Sequence, residues 1–207
     1  MRITVFGATG LVGRQVCREA LWRGHTVVAF GRNTQLLEAQ SRLETVKGAL
    51  FDPADVARAL RGADAVISVV GGAIDGADRT RSLGMKIIVQ EMQKTGVRRI
   101  VALGGLGILN APEGGLLLDA DEYPDEYRAV GEEHRKAYQH LLESPLDWTF
   151  VCSPDIEEGD PTGSYRTSSD VPPEPNSFRI FSGDLAQFIL RETEDPTYVR
   201  KRAGICN

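Results

Sequence analysis

Along the first half of the chain, short β-branched or apolar runs alternate with segments of helical period. Ile3 to Phe6 is too short for a buried helix and reads as a strand, whereas Gly10 to Arg23 repeats its apolar positions at helical spacing. The alternation continues with a strand at Thr26 to Phe30, a short helical or turn segment at Thr34 to Gln40, and a strand at Thr45 to Lys47. A helix follows at Asp52 to Leu60, with Asp52 as N-cap and Pro53 at its first position. Next come a strand at Ala65 to Val70, a helix from Arg79 to Thr95 closed by Gly96, and a strand at Arg99 to Leu103. Continuously apolar strands separated by helices predict an α/β fold with a parallel sheet covered on both faces. Right-handed crossovers make that sheet doubly wound.

The second half is less regular. Residues 104–131 are rich in glycine and acid and are interrupted by Pro112 and Pro124. Glu132 to Glu143 predicts a helix and Asp147 to Cys152 a strand. Asp155 to Asn176 holds most of the remaining prolines and glycines and predicts a loop-rich flap, followed by a strand at Phe178 to Ile180 and a helix from Ser182 to Arg191. The expectation is one domain, residues 1–207, whose C-terminal excursions cover a site as a substrate flap.

Composition narrows the function classes. With 42% hydrophobic and 26% charged residues, the 207-residue chain has a globular composition, and it has no apolar run long enough for a bilayer. A net charge of -5 offers no electrostatic footprint for nucleic acid. Cys17, Cys152 and Cys206 are far apart and odd in number, so neither a disulfide framework nor a metal pair is expected. Met1-Arg2 runs straight into the first strand without a targeting pattern, and the expected location is cytoplasmic.

The candidate chemistry begins where the first strand meets the first helix. Gly7-Ala8-Thr9-Gly10-Leu11-Val12-Gly13 has the glycines that close approach to a pyrophosphate demands, and it opens a helix whose free N–H groups favour that charge. Gly7, Thr9, Gly10, Leu11, Val12 and Gly13 are therefore candidate cofactor-binding residues. At the end of the second strand, an NAD enzyme would carry an acid for the ribose 2′-hydroxyl. Here the segment is Phe30-Gly31-Arg32-Asn33, and Arg32 suits a 2′-phosphate, which favours NADP (NADPH).

Together with Gly62-Ala63-Asp64-Ala65-Val66, Gly71-Gly72, Ser153-Pro154-Asp155-Ile156 and Ser182-Gly183-Asp184-Leu185, these segments resemble an atypical short-chain dehydrogenase/reductase of Rossmann fold. Within that superfamily the chain is similar to biliverdin-IXβ reductase/flavin reductase and its NAD(P)H-binding relatives. The resemblance implies that Gly71 and Gly72 run along the adenosine and ribose, that Ser153 and Pro154 face the nicotinamide, and that Leu50 lies beside the adenine. Relatives often carry Gly-Asp after the third strand; Gly48-Ala49 stands there instead, so an adenine-facing carboxylate is expected to be missing.

The usual proton-transfer pair of short-chain dehydrogenases is absent. Tyr123, Tyr127, Tyr138, Tyr165 and Tyr198 are followed four residues later by Tyr127, Gly131, Leu142, Ser169 and Arg202, never by lysine. The family serine is replaced at the matching position by Gly105, which would open space beside the nicotinamide. His134, at a position resembling the family's helix histidine, is the remaining proton-donor candidate; the bland reading is a helix histidine without chemistry. His25 is expected to be structural. The acids Glu113, Asp119, Asp121, Glu122, Asp125 and Glu126 read as a solvated lid that would repel anionic acceptors if it borders the site. Tyr127, Tyr165 and Phe178 could offer stacking surface, Phe178 more readily core packing.

The expected function is an NADPH-dependent reductase transferring hydride to a flavin, quinone or similar conjugated acceptor. The rival is a non-catalytic NADP(H)-binding redox sensor. The expected partner is a small molecule, with no metal, nucleic acid or membrane, in a monomer or weak homo-oligomer.

Overall fold

A computed structural model describes residues 1–73 and 77–207. The elements run β1 (Arg2–Phe6), α1 (Leu11–Trp22), β2 (Thr26–Gly31), β3 (Leu43–Lys47), α2 (Pro53–Ala59), β4 (Ala65–Ser68), α3 (Thr80–Thr95) and β5 (Arg99–Gly105). They continue with α4 (Asp125–Leu142), β6 (Asp147–Ser153), β7 (Asp155–Glu157), β8 (Arg166–Ser169), β9 (Arg179–Phe181), α5 (Ser182–Glu194) and β10 (Lys201–Cys206). The main sheet has the order β3-β2-β1-β4-β5-β6-β10-β8. Only the last pairing, β10 with β8, is antiparallel. The chain leaves β1 toward β2 on one side and later crosses to β4 on the other, so a crevice opens at the carboxyl ends of β1 and β4.

Both faces of the sheet are covered, which is why its strands read as continuous apolar runs. One core cluster packs α1 and α5 on the sheet through Val16, Leu21, Phe188 and Ile189. The other packs α2, α3 and α4 through Leu60, Ile88, Met92, Leu141, Trp148 and Phe150. Trp148, Phe150 and Phe188 are fully buried, and each contributes on the order of 2–3 kcal/mol by leaving water.

Three departures from the sequence reading have physical causes. Helix α4 starts at Asp125 rather than Glu132, because Pro124 and the acids Asp125 and Glu126 make a good first turn. The flap is not all loop: β7 and β9 pair in parallel, and β8 joins the main sheet. Strand β10 escaped notice because a buried arginine interrupts its apolar run. Arg202 donates to the Ile108 carbonyl at 2.7 Å, Asn110 Oδ1 at 2.8 Å and Asp170 Oδ1 at 3.1 Å, and it lies over the Tyr138 ring.

The flap is anchored by a second buried charge. Asp184, fully buried in the first turn of α5, accepts from the Thr162 amide (2.8 Å), the Thr162 hydroxyl (2.7 Å), the Gly163 amide (2.8 Å) and the Asn207 side-chain amide (2.7 Å). Asp184→Ala leaves these donors without their acceptor. It is expected to lower unfolding free energy by about 2–4 kcal/mol and to raise amide exchange selectively across residues 158–165. Denaturant titration and hydrogen exchange check both outcomes, and an unchanged midpoint would contradict the anchoring role.

Candidate active site

The turn between β1 and α1 is a backbone cradle. Gly7 has φ +88°, and a Cβ on it would lie 2.6 Å from the Val69 carbonyl oxygen beyond β4; a Cβ on Gly13 would strike the Gly7 carbonyl. The Gly10 amide donates to Gly7 O at 3.1 Å and closes the turn. Gly10 is also the N-cap of α1 and supplies no side-chain cap, and no acid sits in the first turn. The amides of Leu11, Val12 and Gly13 thus have no partner inside the helix and face a positive helix end, a donor set suited to a pyrophosphate. Arg14 Nη1 braces the turn at the Thr9 carbonyl, 2.8 Å away.

Phe6 pairs with Phe30, so the turn at Gly7 lies beside Gly31, which still pairs with Lys47 of β3, and Arg32 follows. Arg32 is exposed and makes no hydrogen bond or ion pair among the described residues. Leu50 is half-buried against Gly84 of α3. A carboxylate does occupy the turn after β3: Asp55 of α2 accepts from the Ala49 amide at 2.8 Å and pairs with Arg58 at 2.8 Å. The Ala49 bond, with help from Arg58, holds Asp55 below the usual carboxylate range.

After β4, Gly71 faces the crevice and Gly72-Ala73 is clamped from both sides. Arg81 donates to the Ala73 and Gly72 carbonyls at 3.0 Å each, while Asp78 accepts from the Ala73 amide at 2.8 Å and the Thr80 amide at 2.6 Å. The Thr80 side-chain bond and the Thr80 and Ala73 amides depress the Asp78 pKa. Sequence reasoning missed Arg81, whose only signal was its place nine residues past Gly72, in the first turn of α3.

A cavity of about 770 Å³ runs from Gly10, Leu11 and Val12 past Val69 to Gly71 and then along the ends of β5 and β6. Ser153 and Pro154 line it, and so does His134. Gly7, Thr9, Gly13, Arg32, Leu50 and Gly72 are not part of its lining. At the far end the wall is apolar and aromatic, with Leu106, Ile108, Tyr123, Tyr127, Val130 and Phe178.

The space expected beside Gly105 is taken. A Cβ at residue 105 would stand 3.0 Å from His134 Cδ2 and 3.5 Å from Nε2, so the imidazole lies where the family serine would project. Its Nδ1 is buried without a partner, which leaves the Cδ2–Nε2 edge beside Gly105 to meet the cavity. Burial, reinforced by the Arg81 charge and opposed by Glu133, lowers the His134 pKa to about 3. The imidazole is therefore neutral throughout the physiological range and is not an imidazolium acid near pH 7. Next to it, Glu133 is buried and accepts from Ser82 Oγ at 2.5 Å and Lys136 Nζ at 3.0 Å.

Other expectations resolve as follows. Phe178 is not core: its side chain is 65% exposed and lies on the cavity mouth, as does Tyr127. Tyr165 instead packs edge-on against Phe188 at 6.0 Å. Of the six lid acids only Glu122 lines the cavity, while Asp119 pairs with Arg135 and Asp125 with Arg128. His25 bridges Glu194 Oε1 at 2.6 Å and the terminal amine at 3.3 Å, a structural role. All three cysteines are free and buried. Among the described residues no His, Cys, Asp or Glu cluster could hold a metal, and no helix is long and apolar enough to cross a membrane.

This geometry matches that of known proteins. YwnB of Bacillus subtilis, an uncharacterized protein, is 27% identical over 98% of this chain and 96% of its own length. The structure of a candidate exported protein from Burkholderia pseudomallei is 34% identical, covers 100% of both chains and superposes with a TM-score of 0.87. That of a candidate NADH-flavin reductase from Streptococcus pneumoniae is 26% identical over 100% of this chain and 99% of its own, with a TM-score of 0.86. Six further curated relatives are longer, and the chain spans 27% to 61% of their lengths. The NAD(P)H-binding family model matches residues 7–196, from the first glycine of the turn to the end of the last helix. A cradle of unpaired amides at a strand-order reversal, in a chain matched over nearly its whole length, makes this protein a member of the NAD(P)H-binding family, a reductase-like Rossmann-fold protein with a nicotinamide dinucleotide as cofactor.

Proposed function

We propose that this chain is an NADPH-dependent reductase that passes hydride to a flavin, quinone or similar conjugated acceptor. The observation that carries the reading is the shape of the cavity: a pyrophosphate cradle at one end opens into an apolar chamber walled by Leu106, Ile108, Tyr123 and Phe178 at the other. A nicotinamide dinucleotide held here would supply hydride to an acceptor ring, and the single proton that completes the reduction would come from water. The amides of Leu11 and Val12 bind the pyrophosphate and Arg32 the 2′-phosphate. Gly71 to Ala73, clamped by Asp78 and Arg81, fix the run between them, and Ser153 and Pro154 face the reacting ring. His134 holds a proton at Nε2, because one at Nδ1 would be buried without an acceptor, and donates it as a hydrogen bond to the oxygen or nitrogen that gains charge. Such chemistry needs orientation and water exclusion more than an acid–base pair, in keeping with a chain that lacks Tyr-x-x-x-Lys and the serine.

The second reading is a redox sensor that binds NADP(H) without turnover. It draws support from the same missing serine and tyrosine–lysine pair. Three buried, unpaired thiols favour the cytoplasm as the compartment, with the chain acting as a monomer or weak homo-oligomer.

Three outcomes test the reading. NADPH should bind more tightly than NADH, and Arg32→Asp should weaken NADPH by about 1.5–3 kcal/mol, roughly 10- to 100-fold in Kd, while leaving NADH little changed; equal titrations in the parent count against Arg32. Purified protein should oxidise NADPH with riboflavin or a simple quinone, and uncharged acceptors should outperform anionic ones because Glu122 and Asp155 line the cavity, a gap that narrows in high salt. NADPH binding without turnover on any acceptor leaves the sensor. Lastly, His134→Gln should lower turnover about tenfold by the same factor from pH 6 to 8. It should also remove an acid sensitivity of folding. The folded-state pKa of about 3 lies below the unfolded value of 6.5, so the unfolded chain binds the extra proton and the parent loses stability as pH falls from about 6.5 toward 3.

A further inference from the structure

Phe178 is an anomaly for an aromatic side chain. Its backbone is left-handed at φ +55°, a region bulky residues avoid, and its ring is 65% exposed rather than packed. The conformation is held from both sides. The Phe178 amide donates to Asn176 Oδ1 at 2.8 Å, and Ser177 Oγ donates to the Arg179 carbonyl at 3.1 Å. The next residue opens β9, whose register pairs Arg179 with Asp155 of β7, so Phe178 enters the ladder beside Pro154. Asp155 in turn accepts from the Tyr127 hydroxyl at 3.2 Å, which ties α4 to the same point. Tyr127 is also partly exposed, and both rings line the cavity mouth next to Ser153 and Pro154.

A strained, solvent-facing ring and a second exposed ring, both lining one cavity and tied to one short ladder, do nothing for the core. We infer that Phe178 and Tyr127 form an aromatic clamp for the flat face of a planar, uncharged acceptor ring, and that Asp155 is the residue that positions it. For the acceptor's identity this rests on the reductase reading, and it goes further by assigning the stacking residues. Stacking rather than hydrogen bonding would make recognition tolerant of ring substituents, because every conjugated ring offers a π-face. The carboxylate of Asp155, bonded to the Tyr127 hydroxyl and lining the same cavity, disfavours anionic acceptors there.

The test separates binding from turnover. Riboflavin is titrated into protein saturated with NADP⁺, and quenching of flavin fluorescence reports its Kd without any reaction. Phe178→Gly removes the ring and suits the left-handed backbone, so the variant should melt no lower than the parent. Its riboflavin Kd should rise about tenfold while its NADP⁺ affinity stays unchanged. Tyr127→Phe keeps the ring but drops the tie to Asp155, and should raise the riboflavin Kd by a smaller factor than Tyr127→Ala. Equal riboflavin affinity in the parent and Phe178→Gly overturns the clamp, as does a parent that fails to bind riboflavin at all. A parent that binds riboflavin through Phe178 but never oxidises NADPH sinks the reductase reading and leaves the clamp standing.

Discussion

The approach of the Gly7 backbone to the Val69 carbonyl is the contact on which the site depends. It lets β1 and β4 lie side by side to their ends and then part, the first chain turning into α1 and the second into the Gly71–Ala73 strip. Any side chain at residue 7 would wedge these segments apart, and one at residue 13 would lift α1 off the turn. With both absent, the positive end of α1 is presented to the crevice at the one place where the strand order reverses.

Around that crevice the protein uses charge in two opposite ways. Near the cofactor strip it places Arg81 and Asp78 on backbone groups, so that each charge is satisfied by carbonyls or amides and the loop is fixed. Beside Gly105 it withholds charge, since burial and the neighbouring guanidinium keep His134 neutral. A neutral imidazole can still donate one hydrogen bond, and it does not titrate near neutral pH.

Buried ions away from the site hold the covering segments. Arg202 carries the Leu106–Ile108 turn that lines the cavity, and Asp184 carries residues 162 and 163 of the flap. Glu192, also fully buried, accepts from Thr149 Oγ1 at 3.0 Å and from the Tyr198 amide at 2.7 Å, with Arg99 at 3.3 Å. Each is satisfied by several donors or acceptors, and the loss of one partner would strand a charge in the interior.

The sequence by itself determined the first six strands of the sheet and the glycine turn after β1. Apolar runs of strand length, the glycine spacing at residues 7 to 13 and the Asp52-Pro53 helix start are local signals, and each acts within a few residues of itself. The apolar end of the cavity was decided by tertiary structure. His134 fills the place beside Gly105 across a gap of 29 positions in the chain, Phe178 reaches the mouth only through the pairing of β9 with β7, and β10 is hidden by an arginine whose partners lie on distant loops. No periodicity encodes such contacts, because they join side chains whose neighbours in space are remote in sequence; a helix or turn signal states what a segment is, but not what it will face.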